Sequence, residues 1–408
     1  MKLIASAAAA VLLVAVLLVA LPLAAQQAPT TEVTQLRAAV LRIDRQALRP
    51  VSRLDATPPD LGFAGAVLAT EDNATTGRFM GQEFVTDTVA ASPENAVKAL
   101  DGILGAGTKF VTVLADDETT LALADRARET APDALIFNAL AQGDNLRNAD
   151  CRANVIHVTP SRSMLTDALT QFLMWKKWGR WVLMSGSHPS DQALKAAYQA
   201  SAKKFNAKIV AEKEFADTGG SRRSDTGHVL VQRQIPVDTQ FGEDYDVLIA
   251  ADENQVFAGY LPFQTWAARP VAGSAGLRAR LWSPALESWG ATQFQNRFEK
   301  LTRRPMRDED YSTWLALRML GEAATRTGST DPTQLKQFIL SPDFAVAGFK
   351  GEKMTIRDWD HQLRQPILLA TDNIVVSVSP QEGYLHQVSQ LDTLGTDRPE
   401  TACKLDGG

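Results

Sequence analysis

Residues 181–215 read WVLMSGSHPSDQALKAAYQASAKKFNAKIVAEKEF. An apolar run, Trp181 to Ser185, is followed by an amphipathic segment of helical length, Ser190 to Phe205, and then by a second strand-like run, Ile209 to Phe215. A strand, a helix and a second strand in so short a length form a parallel crossover unit, because the intervening helix returns the chain to the same edge direction. Working outward, the same alternation recurs. Further Val/Ile/Leu-rich runs predict strands at Ala38–Ile43, Phe84–Val89, Phe110–Leu114, Ala134–Asn138, Val155–Val158, Val247–Ala251 and Val271–Gly273. Helical periods fall at Gly62–Glu71, Pro93–Leu104, Glu118–Thr130, Ser163–Trp178, Gln293–Thr302, Asp308–Thr327 and Thr333–Leu340. Continuous apolar strands separated by helices mark an α/β protein whose parallel sheets are covered on both faces.

The helix starts carry their own signals: Ser92 before Pro93, Asp116 and Asp117 before Glu118, Ser161, and Asp331 before Pro332. Gly102 to Gly107 follows a helix and precedes a strand, the reverse of a dinucleotide fingerprint, and reads as a helix stop. After Leu340 the alternation gives way to short strands around Lys353–Arg357, Pro366–Ala370 and Ile374–Val378. A chain that builds one α/β lobe, then a second, then returns to finish both has this order.

With 408 residues the chain exceeds one ordinary core, so two domains are expected. A net charge of -5 is too mild to imply a polyanionic partner, and nucleic acid is not an expected ligand. Residues 1–25 hold one charge, Lys2, and an apolar run from Leu3 to Leu23 before Ala24 and Ala25, the pattern of an export signal cleaved near Ala25. The run is also long enough to serve as an uncleaved anchor, which would make the protein a membrane-held ligand sensor. The mature N-terminus, Gln26 or Met1, separates the two. In an exported chain the two cysteines, Cys151 and Cys403, invite a disulfide worth on the order of 5 kcal/mol by loop-closure entropy, with two unpaired thiols as the alternative.

Several segments resemble the type I periplasmic binding proteins, in particular the branched-chain amino acid-binding family. They are Ala64–Glu71 with the Asn73–Gly81 turn, Asn154–Ser161, Trp178–Gly186, Tyr245–Glu253, and the tail Phe349–Gly351 through Ser377–Ser379. Three segments further resemble the subgroup associated with pyrroloquinoline-quinone-dependent alcohol catabolism: Glu71–Arg78, Trp289–Phe298 and Ser377–Gly383. The resemblance implies two doubly wound lobes joined by three crossovers, near Thr159, Ser283 and Gly351. Residues 32–159 with 284–350 would form lobe 1, and 160–283 with 351–400 lobe 2. It further implies a periplasmic receptor, monomeric, without a cofactor, that binds a small molecule or metal ion between its lobes and delivers it to ABC permease subunits in the inner membrane.

Loops expected at the strand carboxyl ends carry the ligand candidates Asp116, Asp117, Glu118, Asn138, Ser185, Ser187, His188, Asp252 and Glu253. As a set they favour a cationic or polyol-like ligand, and each acid is equally a helix cap. The family's ammonium-binding acid falls near Ala275, and its aromatic clamp appears as His188-Pro189-Ser190; both departures argue against an ordinary amino acid ligand. Two ligand classes follow from the alcohol-linked resemblance, a small alcohol-derived metabolite and a metal such as a lanthanide. Asp358, Asp360 and His361 read as an exposed hairpin, Trp266, Trp282, Trp289 and Trp314 as core or interlobe packing, and Arg222 and Arg223 as a solvated polar loop. No nucleophile with a base and an orienter is legible, and the five histidines form no His-x-x-x-His pair, so an enzyme is not expected.

Overall fold

The computed structural model describes residues 33–45, 56–217 and 225–405. The expected export segment, residues 46–55 and the Arg222–Arg223 pair lie outside the described residues. Two parallel sheets organise the chain. The first contains β1 (Thr34–Ile43), β2 (Gln82–Ala91), β3 (Phe110–Leu114), β4 (Leu135–Asn138) and β5 (Val155–His157), in the order β2-β1-β3-β4-β5. The second contains β6 (Arg180–Gly186), β7 (Lys208–Phe215), β8 (Val247–Ala251) and β9 (Val271–Gly273), in the order β7-β6-β8-β9. The two windings repeat one pattern, which is why residues 181–215 and the segment around β1 and β2 read alike.

Period-two alternation sends neighbouring residues of each strand into different cores. In β1, Leu36, Ala38 and Val40 join the cluster containing α1 (Phe63–Met80), α8 (Ala291–Thr302) and α9 (Asp308–Thr327), whereas Ala39, Leu41 and Ile43 face α2 (Ala96–Gly105) and α3 (Asp117–Thr130). In β6, Trp181 and Leu183 face α4 (Arg162–Trp175) and α5 (Pro189–Lys204), while Val182 and Met184 pack toward α6 (Asp225–Asp238) and the short α7 (Leu261–Gln264). The central strands of each sheet are thus buried on both faces, while the edge strands β2 and β7 are mostly exposed or half-exposed.

The chain passes between the two α/β lobes three times: from β5 to α4, from β10 (Arg278–Arg280) to α8, and, after α10 (Pro332–Ile339), from the small hairpin of β11 (Val346–Ala347) and β12 (Lys353–Met354) to β13 (Ile367–Ala370). The antiparallel set β10-β13-β14, with β14 at Val375–Ser379, packs on α4.

Some expectations needed correction. The first helix continues through the expected Asn73–Gly81 turn to Met80 and ends at the left-handed Gly81. Tertiary bonds hold it: Asn73 Nδ2 donates to Leu317 O at 2.9 Å, and Trp314 Nε1 donates to Asp72 at 2.9 Å. The helix also crosses α9 closely at Gly65, where a Cβ would lie 2.0 Å from Asp310 O. Neither α6 nor β10 was anticipated. Asp360 and His361 are buried, because the 355–364 hairpin docks on β5 through backbone bonds between His157 and residues 361 and 363; Asp358 remains exposed. Trp282 and Trp314 are core residues, but Trp266 and Trp289 are largely solvent-exposed.

Candidate functional site

The carboxyl ends of β1 and β3 open onto a cavity of about 420 Å³, inside the usual size range of small-molecule sites. Its apolar wall is Ile43, Pro58, Pro59, Leu61, Leu114 and Leu140, and Arg42, Asp44, Arg45 and Glu309 supply its polar groups. Arg42 is held rigidly: Nε donates to Asp44 at 2.6 Å, Nη1 donates to Pro59 O and Leu61 O at 2.9 Å, and its guanidinium lies 4.3 Å from the centre of the Phe63 ring. Burial, reinforced by the Asp308 charge, pushes the Glu309 carboxyl up to about 7. The cavity therefore combines an apolar wall with a guanidinium already neutralised by Asp44 and a carboxyl poised near neutrality.

The acids read from the sequence sit at the strand carboxyl ends, and most are occupied. Asp116 caps α3 by accepting from Thr119 N at 2.8 Å and pairs with Arg45. Asp117 accepts from Gly143 N at 2.9 Å and from Arg162 at 3.2 Å. Glu118 points to solvent in the first turn of α3. Asn138 is buried and self-contained: its Oδ1 accepts from Leu140 N and Ala141 N, and its Nδ2 reaches Ala141 O and the His157 ring. Ser185 is buried, with Gln192 Nε2 at 3.4 Å. Ser187 accepts from Asp217 N at 3.0 Å, and His188 pairs with Asp217 at 2.8 Å while starting α5.

Asp252 accepts from Val256 N, Phe257 N and Ala258 N at 2.8–2.9 Å. Burial raises its carboxyl above the ordinary range against the pull of those three N–H groups. Glu253 is bound bidentately by Arg162, at 2.7 and 3.1 Å.

Arg162 is the residue that sequence reading missed. It opens α4, immediately after the first crossover, and joins Asp117 of one sheet's loop to Glu253 of the other's. Burial alone would lower its pKa, but the two carboxylates outweigh that and raise it above the usual arginine value. Its signal in the sequence was only its place after Ser161, since the charge partners come from loops 45 and 91 residues away.

The sequence matches no family model and no curated protein. Solved structures, however, superpose over nearly their whole length. A periplasmic binding protein from Burkholderia mallei aligns with a TM-score of 0.64 at 14% identity, over 91% of this chain and 99% of that one. The fold is that of the type I periplasmic binding proteins. An ABC transporter substrate-binding protein from Sphaerobacter thermophilus gives 0.67 at 16% identity, over 85% and 98% of the two chains. A solute-binding protein of an ABC transporter from R. palustris, solved in complex with benzoate, gives 0.63 at 13% identity, over 91% and 100%. In type I terms, the cavity beside Arg42 and the Asp117–Arg162–Glu253 bridge lie at the strand carboxyl ends, where α/β sheets hold ligands. The disulfide is also present, joining Cys151 and Cys403 across 252 residues. Among the described residues no helix is long and apolar enough to cross a membrane, and no cluster of three or more His, Cys, Asp or Glu side chains could hold a metal ion.

Proposed function

We propose that this chain is the periplasmic substrate-binding component of an ABC importer, which closes two lobes on a small organic solute and presents the closed form to permease subunits. Lobe 1 is assigned to residues 32–159 with 284–350, lobe 2 to 160–283 with 351–400, and the protein acts as a monomer and not as an enzyme. The observation that carries the ligand class is the 420 Å³ cavity walled by Ile43, Leu61, Leu114 and Leu140. A hard cation needs several free convergent oxygens, whereas Asp117, Asp252 and Glu253 spend theirs on N–H groups and on Arg162. Of the two ligand classes raised by the alcohol-linked resemblance, the alcohol-derived metabolite is therefore the better match. Exposed Glu118, with half-exposed Ser187 and His188 held by Asp217, are the side chains proposed to complete the site from the loops. The resemblance of Glu71–Arg78, Trp289–Phe298 and Ser377–Gly383 supports a place beside quinone-dependent alcohol oxidation.

The test is thermal unfolding of the mature protein against short-chain alcohols and their acids, amino acids, and lanthanide and calcium ions. A ligand of the folded state at a hundred times its dissociation constant adds about 2.7 kcal/mol and raises the midpoint. A rise with an alcohol-derived compound is expected; a rise with metal ions alone overturns the organic-solute reading.

A further inference from the structure

The C-terminal tail is bonded to both lobes. On the second, Leu394 is buried in the core that contains Met164, Leu169, Trp181 and Tyr198. Asp167 of α4 accepts from Gly395 N at 2.8 Å, Lys204 of α5 donates to Gly395 O at 2.7 Å, and Gln171 donates to Thr393 at 3.0 Å. Eight residues later the tail reaches the loop between β4 and β5 of the first lobe. There Thr401 donates to Arg147 O at 3.3 Å, Ala402 N donates to Asn148, and Cys403 is bonded to Cys151. That loop is itself fixed: the buried Arg147 guanidinium donates to Ala141 O, Gly143 O, Thr159 O and Gln362, each at 2.9 Å.

We propose that residues 395–403 form a fourth, covalently closed connection between the lobes, a strap that limits how far they open. This deepens the receptor reading and rests on it, since a strap matters only where lobes move. Magnitudes assign the part played by the cystine. Without it, the tail's direct hold on the β4–β5 loop would be the two hydrogen bonds at Thr401 and Ala402, since the Arg398–Asp358 pair and the Arg357 bonds to Asp392 and Thr396 tie the tail to the 355–364 hairpin instead. Net of the water they displace, such hydrogen bonds contribute little, and exposed pairs still less. Ordinary conformational equilibria can break them. They cannot break a disulfide. Eight residues reach at most about 26–29 Å when fully extended, so the cystine turns a contact that opening could detach into an upper bound on separation.

The experiment uses the full mature protein with no ligand added, carrying ketone-linked spin labels at the exposed positions of Glu129 on α3 and Lys203 on α5. Interlobe distances are measured in the oxidised protein, in Cys151→Ser/Cys403→Ser, and in a variant that keeps the cystine but carries eight Gly/Ser residues between Thr396 and Asp397. Both altered proteins are expected to shift their distance distribution by several ångström toward longer values. The inserted variant relaxes the strap without removing the crosslink, so it separates restraint from simple stabilisation. Superimposable distributions in all three proteins, with only the unfolding midpoint of the serine variant lowered, overturn the proposal. Because no ligand is added, this outcome is independent of the ligand panel that tests the receptor reading.

Discussion

Asp392→Ala should be among the most damaging single substitutions outside the two sheets. Its carboxylate is completely buried and accepts from Arg357 Nε at 2.8 Å and from Arg364 Nε at 2.8 and 3.0 Å. Arg357 is also buried, and it spends its remaining N–H groups on the carbonyls of Leu391, Leu394 and Thr396. The Trp359 ring lies 5.2 Å from each guanidinium. Removing the carboxylate leaves two cations away from water, with Asp360, 3.8 Å from Arg357, and Asp397, whose carboxyl pKa the Arg357 charge helps to lower, as the remaining counter-charges. Breaking a buried pair from one side costs about 3–5 kcal/mol, because the surviving charge remains desolvated. At about 1–2 °C per kcal/mol for a chain of 408 residues, the midpoint should fall by roughly 3–10 °C. Circular dichroism melts at pH 7 measure it, with Asp392→Asn as a shape-matched control that should lose most of the same amount. Replacing the whole set, Asp392→Leu with Arg357→Met and Arg364→Met, should recover much of the loss, since no buried charge is left behind. A fall of less than about 1 kcal/mol for Asp392→Ala would refute the reasoning, because it would mean that the guanidiniums are solvated by other groups.

Two further outcomes are expected. Gly65→Ala should destabilise by about 1–3 kcal/mol in urea unfolding, because its Cβ would meet the Asp310 backbone and push α1 off α9; an unchanged midpoint concentration would show that the crossing has slack. Glu309 has a folded pKa raised to about 7 from 4.5, so the folded state binds the extra proton between those values and stability is lost as pH rises through that window. Glu309→Gln should flatten the fall of the melting midpoint between about pH 4.5 and 7, and an unaltered slope would assign that dependence to other groups such as Asp360, whose carboxyl burial raises to about 6.

Local signals were legible wherever they were covalently or periodically encoded. Phe110–Leu114, Val247–Ala251, Val271–Gly273 and Asp308–Thr327 fall where the pattern places them. Asp116, Ser161 and Asp331 each cap a helix by accepting from a backbone N–H three residues on. Elements failed where distant partners outweighed local preference. The sequence Asp72-Asn73 looks like a helix end, yet bonds from Trp314 and to Leu317 carry the helix past it. Asp360 and His361 look solvated, but the hairpin's docking on β5 buries them.

The α/β class, the repeated winding and the pairing of the only two cysteines were within reach of the sequence alone, since apolar period, helix caps and cysteine count depend on residues close together or on simple number. The use made of each charge was not. Asp117 and Glu253 appear in the sequence as free ligands, and only the folded chain brings Arg162 between them. The same holds for Asp392, which finds Arg357 and Arg364 only after the tail folds back. A carboxylate's chemistry is set by what stands within a few ångström of it, and for these groups those neighbours lie tens of residues away along the chain.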